Sequence, residues 1–117
     1  GLPALALLSQ SPVMKRLVEA ANAGKPLVEA DVADIEGLLN EVTPAFLPLL
    51  RQLGSFSELE YQVSLLLKLG LSPIQISALV LRDKSSISAL RRRLYKKVTG
   101  QNGSPADWDR IIQSLPA

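Results

Sequence analysis

The sequence predicts an all-α fold. Hydrophobic residues make up 47% of the 117 positions but aromatic residues only 4%, so the core should be aliphatic, and the abundant Leu and Ala favour helices. Four Ser-Pro or Thr-Pro pairs are spread along the chain, and Gly follows them at intervals typical of helix ends. A chain of this length can bury enough surface for a real hydrophobic core.

Each Ser-Pro or Thr-Pro pair predicts the start of a helix. The hydroxyl oxygen accepts a hydrogen bond from an unpaired backbone N–H, and Pro at the first helical position has no N–H to leave unpaired. Ser57 to Glu60 and Ser72 to Gln75 also match the capping box. The pairs are Ser11-Pro12, Thr43-Pro44, Ser72-Pro73 and Ser104-Pro105, and the glycines that end helices are Gly24, Gly54, Gly70 and Gly100. The predicted helices are 12–23, 31–41, 44–53, 58–69, 73–81, 85–98 and 105–114.

Two regions are predicted along the chain. Residues 1–54 should hold about three helices that support the rest, and residues 55–117 should hold the functional unit, in which three helices pack together and one more follows. Phe46 is expected to join the regions by packing against that three-helix unit. The apolar positions at helical spacing, all predicted to be core, are Val13, Leu17, Ala20, Val63, Leu66, Leu67, Ile76, Leu79, Val80, Ile87, Leu90, Leu94 and Val98.

The composition excludes most catalytic chemistry. The chain has no Cys and no His, which removes thiolate nucleophiles, imidazole bases and most transition-metal sites. Carboxylates occur in pairs, but no Gly-rich phosphate loop or third ligand accompanies them. We therefore expect that the protein is not an enzyme and uses no metal, cofactor or small-molecule ligand. The carboxylate pairs are Glu58/Glu60, Asp31/Asp34 and Asp107/Asp109.

The cellular location is predicted from the length of the apolar runs, the first residues and the absence of Cys. Every apolar run is far shorter than the roughly 20 residues that a membrane-spanning helix needs. The Gly-Leu-Pro start is neither a signal peptide nor an initiator Met. We expect a piece of a larger protein with a cytoplasmic location, which the absence of Cys fits.

Positive charge is concentrated in one segment. Residues 82–98 carry seven basic side chains and one acidic one, an excess of +6, although the net charge of the chain is only +2. In helix 85–98 the apolar residues take one side, which leaves small and then basic side chains on the other. Small side chains let a helix approach another surface closely, and basic ones reach phosphates or base edges. This face comprises Ser85, Ser88, Ala89, Arg92 and Lys96.

The connection before this helix is short and charged. Helix 73–81 is joined to it by Arg82-Asp83-Lys84, which predicts a helix-turn-helix whose second helix enters the major groove of duplex DNA. Lys84 and the N-terminal N–H groups of that helix should then lie near phosphate. The alternative is a protein-interaction module that docks an acidic partner, such as RNA polymerase, through the same basic helix.

Residues 56–98 resemble the LuxR-type (GerE-like) helix-turn-helix. The segment 56–60, Phe-Ser-Glu-Leu-Glu, is similar to that family's Leu-Thr-x-Arg-Glu, and 70–77, Gly-Leu-Ser-Pro-Ile-Gln-Ile-Ser, is similar to its Gly-x-Ser-Asn-Lys-Glu-Ile-Ala. The segments 86–88 and 94–98 are similar to its Thr-Val-Lys and Ile-Tyr-x-Lys-Leu. The whole chain also resembles the C-terminal region of Bacteroidetes regulators that carry tetratricopeptide repeats. That resemblance implies a sensing or repeat region upstream and leaves a membrane anchor in the parent protein open.

The resemblance implies sequence-specific duplex-DNA binding for transcriptional regulation. Base contacts would come from Ser88, Ala89 and Arg92, supported by Arg91 or Arg93, because the family's usual Lys at position 88 and His at position 90 are replaced here. Phosphate contacts would come from Lys84, Ser86, Lys96 and Lys97. The full set of candidate DNA-binding residues is Lys84, Ser85, Ser86, Ser88, Ala89, Arg92, Arg93, Lys96 and Lys97.

The last predicted helix, 105–114, has two competing interpretations. In the family that the chain resembles, the helix after the recognition helix often forms a homodimer, and Trp108 and Ile112 are the candidates for that contact. A lone Trp is more often part of the core, and this structural interpretation is favoured.

Overall fold

The computed structural model describes residues 2–116, with side chains from residue 6 onward, and every regular element in this range is an α-helix. The all-α fold predicted from the sequence is confirmed. The helices are α1 (Leu2–Gln10), α2 (Pro12–Asn22), α3 (Glu29–Val42), α4 (Phe46–Leu53), α5 (Glu58–Lys68), α6 (Pro73–Val80), α7 (Lys84–Thr99) and α8 (Pro105–Ser114).

The N-terminal region contains one helix more than predicted. Helix α1 covers an apolar stretch that no Ser, Thr, Asp or Asn precedes, so the usual capping signal of a helix start is missing. Ser11 separates α1 from α2, and its hydroxyl accepts a hydrogen bond from Val13 N at 3.1 Å. The Ser11-Pro12 pair therefore marks the second helix of the chain.

Helix α4 begins two residues later than the Thr43-Pro44 pair predicted. The Thr43 hydroxyl does not cap the helix but donates to the Pro116 carbonyl oxygen at 3.0 Å. Phe46 N donates to the Thr43 carbonyl oxygen at 3.0 Å, which closes a turn before the helix. A tertiary contact with the end of the chain has taken the hydroxyl that would otherwise cap a helix.

One hydrophobic core runs through both predicted regions, from Leu8 on α1 to Ile112 on α8. Phe46 is completely buried, and Lys68 Nζ of α5 lies 5.1 Å from its ring centroid, which confirms that Phe46 contacts the C-terminal helices. The Lys68 ammonium also donates to the Leu115 carbonyl oxygen at 2.9 Å. Burial lowers the pKa of Lys68. These contacts attach the last helix to the N-terminal layer.

Helix α6 lies between the N-terminal layer and the basic helix α7. It packs against α2, α5 and α7, and its Leu79 carbonyl oxygen accepts from Leu27 N at 2.8 Å. Leu81, directly after α6, has left-handed backbone with φ 54°, a conformation that costs a side chain other than Gly about 1–2 kcal/mol. The chain turns there, and α7 begins three residues after Leu81, as the predicted short connection requires.

Tyr61 on α5 makes the free energy of unfolding depend on pH in the alkaline range. Its hydroxyl donates to Glu36 Oε2 at 2.6 Å. Burial, helped by that hydrogen bond and the charge of Glu36, raises the pKa of Tyr61 to about 12 from an ordinary value of 10.0. Since the folded pKa is the higher one, the stabilising contribution is complete below pH 10.0 and is lost as the pH rises towards 12.

We therefore expect the free energy of unfolding to fall more steeply between pH 10.0 and 12 in the wild type than in Tyr61→Phe. Urea unfolding followed by circular dichroism at several pH values measures this difference. Equal losses in the two proteins would contradict the assignment.

Candidate nucleic-acid interface

Helix α7 presents the predicted inner side to the core. Ile87, Leu90 and Leu94 are all at most 3% exposed, and Val98 is half-buried. The predicted apolar face is confirmed. Its burial against α5, α6 and α8 fixes the rotation of α7 about its axis, and so decides which side chains face solvent.

The opposite face of α7 is open to solvent and carries most of the predicted residues. The exposed members are Lys84, Ser85, Ser86, Arg92, Arg93 and Lys96, and the half-buried ones are Ser88 and Ala89. Lys84, Arg92, Arg93 and Lys96 form no salt bridge with any carboxylate of residues 6–116. We call these four side chains the free cations of α7.

The start of α7 is already occupied by a carboxylate. Asp83 is the N-cap, and its Oδ1 accepts from Ser86 N at 2.7 Å and from Ser85 Oγ at 3.0 Å. The hydrogen bond from the Ser86 N–H is the main cause that lowers the pKa of Asp83, and the one from the Ser85 hydroxyl lowers it further. The Asp83 carboxylate thus uses the Ser86 N–H, and the expectation that N-terminal N–H groups of this helix lie near phosphate stays a prediction.

Lys97 differs from the free cations because its ammonium has partners within the protein. Its ammonium donates to the Ser55 carbonyl oxygen, lies 3.6 Å from Glu60 Oε1 and 5.5 Å from the centroid of the Phe56 ring. The predicted phosphate contact through Lys97 is not supported, because these contacts hold the ammonium at the start of α5. The residue fastens α7 to α5 instead.

Arg91 is structural, unlike its two arginine neighbours. Its side chain is only 9% exposed, and its guanidinium makes a two-pronged contact with Asp109 of α8, with Nε to Oδ1 at 2.9 Å. The expectation that Arg91 supports base readout is wrong. Of the run of three arginines, Arg92 and Arg93 remain exposed.

Trp108 and Ile112 face inward from α8. Both side chains are completely buried. Trp108 Nε1 donates to Ser64 Oγ at 3.3 Å, and the indole lies 6.1 Å from the Phe56 ring, centroid to centroid. The favoured structural interpretation is confirmed, and the expectation that these side chains contact a second copy is wrong, because neither reaches the surface.

A depression at the C-terminal end of α7 brings together residues that sequence reasoning did not combine. Arg92, Arg93 and Lys96 line one side, and Asn102 and Gly103 of the α7–α8 loop line the other, around a solvent-open volume of about 330 Å³. The sequence offered no local signal for this depression, although the absence of a side chain on Gly103 allows the loop to approach α7 closely. A Cβ on Gly103 would lie 2.6 Å from the Tyr95 ring.

Other kinds of site find no support in the part of the chain that the structure describes. Residues 2–116 contain no helix with the length and apolar character to cross a membrane, and no group of three or more acidic side chains placed to hold a metal ion.

Neither a protein-family model, nor a curated protein, nor a solved structure matches the chain.

Proposed function

We propose that the chain binds duplex DNA through the exposed face of α7 and acts as the output part of a transcription regulator. The observation that carries the proposal is the set of four exposed free cations on a helix that follows another across a three-residue turn. Cations that have no salt-bridge partner among residues 6–116 are available to neutralise phosphates, and DNA offers phosphates at close, regular spacing.

The order of side chains along this face suits entry into a major groove. Ser85, Ser88 and Ala89 come first and are small, so the helix backbone can approach base edges closely. Arg92 follows one turn after Ser88, and its guanidinium can bind a phosphate at the edge of the groove with two hydrogen bonds. Lys84 and Lys96, at the two ends of the face, are placed to contact the backbone on either side.

The resemblance to LuxR-type domains agrees with this arrangement. Under this proposal α5, α6 and α7 correspond to the trihelical unit of that family, and α8 corresponds to the helix that follows it. Under this proposal the parent protein senses a signal outside this chain, and the cytoplasm is the compartment where its DNA target lies. A homodimer contact through α8 would have to use its surface residues, because Trp108 and Ile112 are buried in the core.

A second candidate function is docking of an acidic protein through the same helix. The observation that favours it is the exposure of two large apolar side chains: Ile74 on α6 and Leu81, directly after α6, are 66% and 62% exposed. A partner protein would cover such side chains, whereas a DNA phosphate would gain little from them.

The double variant Arg92→Ala, Lys96→Ala tests the proposal. We expect it to weaken duplex binding about 10- to 100-fold near 0.1 M salt, and to make the log–log salt dependence shallower by about 1.8, because each lost phosphate contact removes about 0.9. Fluorescence anisotropy with a labelled duplex measures both quantities. The control is Lys15→Ala, Lys25→Ala, which removes the same charge from exposed positions in and just after α2. Equal weakening in the two variants would contradict a specific role of α7.

A further inference from the structure

We propose that the depression between α7 and the α7–α8 loop is a binding site for one phosphate group. If the phosphate belongs to DNA, this inference rests on the proposed DNA binding and identifies where the protein contacts the DNA backbone. The site is formed by Arg92, Arg93 and Lys96 from the helix and by Asn102 and Gly103 from the loop. It would grip a single phosphodiester of the strand that passes the C-terminal half of α7.

The charged side chains of α7 favour this end for an anion, although the helix dipole alone favours the N-terminal end. Asp83 places a carboxylate at the start of the helix and uses the Ser86 N–H and the Ser85 hydroxyl. Three of the four free cations lie in the second half of the helix. A helix C-terminus attracts basic side chains by its dipole, which accounts for Lys96 in the last turn. It does not account for Arg92 and Arg93, which lie in the turn before.

The loop gives the site a second wall, so that it differs from a convex row of cations. The loop lies close to α7 here. A Cβ on Gly103 would lie 2.6 Å from the Tyr95 ring, so only a glycine fits without a shift of its neighbours. The exposed amide of Asn102 adds a neutral donor, and it makes no hydrogen bond with another residue between 6 and 116. Guanidinium, ammonium and amide donors around one concave volume match the several oxygens of a phosphate group.

The nearest carboxylate is itself engaged. Asp107 Oδ2 would lie 2.5 Å from a Cβ on Gly103, so this side chain borders the loop. It accepts a hydrogen bond from Ser104 N at 2.7 Å and forms a salt bridge with Arg110. The hydrogen bond from the Ser104 N–H is the main cause that lowers the pKa of Asp107. Its charge is thus directed to the start of α8, and Arg92, Arg93 and Lys96 line the depression without a salt bridge to any carboxylate of residues 6–116.

The test is a ¹⁵N NMR titration of the whole chain, first with inorganic phosphate at low ionic strength and then with a short DNA duplex. We expect saturable shifts at the Asn102 and Gly103 amides and at the Arg92 and Arg93 side chains with both probes. Asn102→Asp, which puts a negative charge into the site, should weaken phosphate binding at least about tenfold. The matched exposed change Asn40→Asp on α3 should leave it unaltered.

The possible outcomes separate this site from the proposed function. Shifts with duplex DNA confined to residues 84–96, with the loop amides silent, would overturn the site and leave DNA binding standing. Saturable phosphate shifts at the depression without any duplex binding would support the site for free phosphate and remove the nucleic-acid proposal. Phosphate shifts spread equally over Lys15, Lys25 and the depression would overturn the site, since the response would be that of any surface cation.

Discussion

Replacing Trp108 with Ala is expected to lower the free energy of unfolding by about 3–5 kcal/mol. The indole of α8 is completely buried, against Ser64 of α5 and the Phe56 ring. Its removal leaves a cavity and also leaves the buried Ser64 hydroxyl without its donor from Nε1. Because the total stability of a domain of this size is typically about 5–15 kcal/mol, the variant should be largely unfolded at moderate urea concentrations.

Circular dichroism at 222 nm measures this loss without depending on the fluorescence of the only Trp. The control is Ile74→Ala, since Ile74 is 66% exposed and its truncation should change stability by less than about 0.5 kcal/mol. A loss below about 1 kcal/mol in Trp108→Ala would mean that α8 does not depend on this side chain for its attachment.

Replacing Asp109 with Ala is expected to lower the free energy of unfolding by about 2–4 kcal/mol. The Arg91 guanidinium, whose side chain is 9% exposed, would keep its charge but lose both contacts to the carboxylate. Asp109 itself is 31% exposed, so the loss should fall short of that for a fully buried pair. Since this pair fixes α8 on α7, urea unfolding should show the effect directly.

Two comparisons distinguish a buried pair from a general effect of charge. Asp34→Ala breaks the Arg16–Asp34 contact, in which both side chains are about half exposed, and should cost less than about 1 kcal/mol. Arg91→Met combined with Asp109→Ala should recover part of the loss, because no unpaired charge stays behind. A double variant as unstable as Asp109→Ala would contradict the explanation.

The elements that sequence reasoning placed well are those with local signals. Ser57 and Ser72 cap α5 and α6 through hydrogen bonds to residues three positions on, and both helices begin where the capping boxes predicted. The apolar side of α7 was also predicted, because helical periodicity depends on residues a few positions apart. The all-α fold followed from such local patterns, while α1 lacked any cap to mark it.

The parts that sequence reasoning missed depend on partners far along the chain. Helical spacing puts Arg91, four residues after Ile87 and three before Leu94, on the inner side of α7, but its acceptor Asp109 lies 18 residues later. Lys97 differs from the free cations because its ammonium contacts Ser55, in the loop before α5, and Glu60 on α5. The Thr43 hydroxyl bonds to Pro116, 73 residues away, and so does not start α4. No periodicity or cap within one segment could reveal these contacts.

The most direct test of the central claim is the salt dependence of duplex binding by the unmodified chain. Phosphate contacts from the four free cations predict a slope of about −3.6 in the logarithm of affinity against the logarithm of salt concentration, at about −0.9 per contact. A slope of this size would support α7 as the DNA-binding helix. A folded chain that does not bind duplex at low salt, or binds with affinity independent of salt, would contradict the claim and favour an acidic protein as the partner of the same helix.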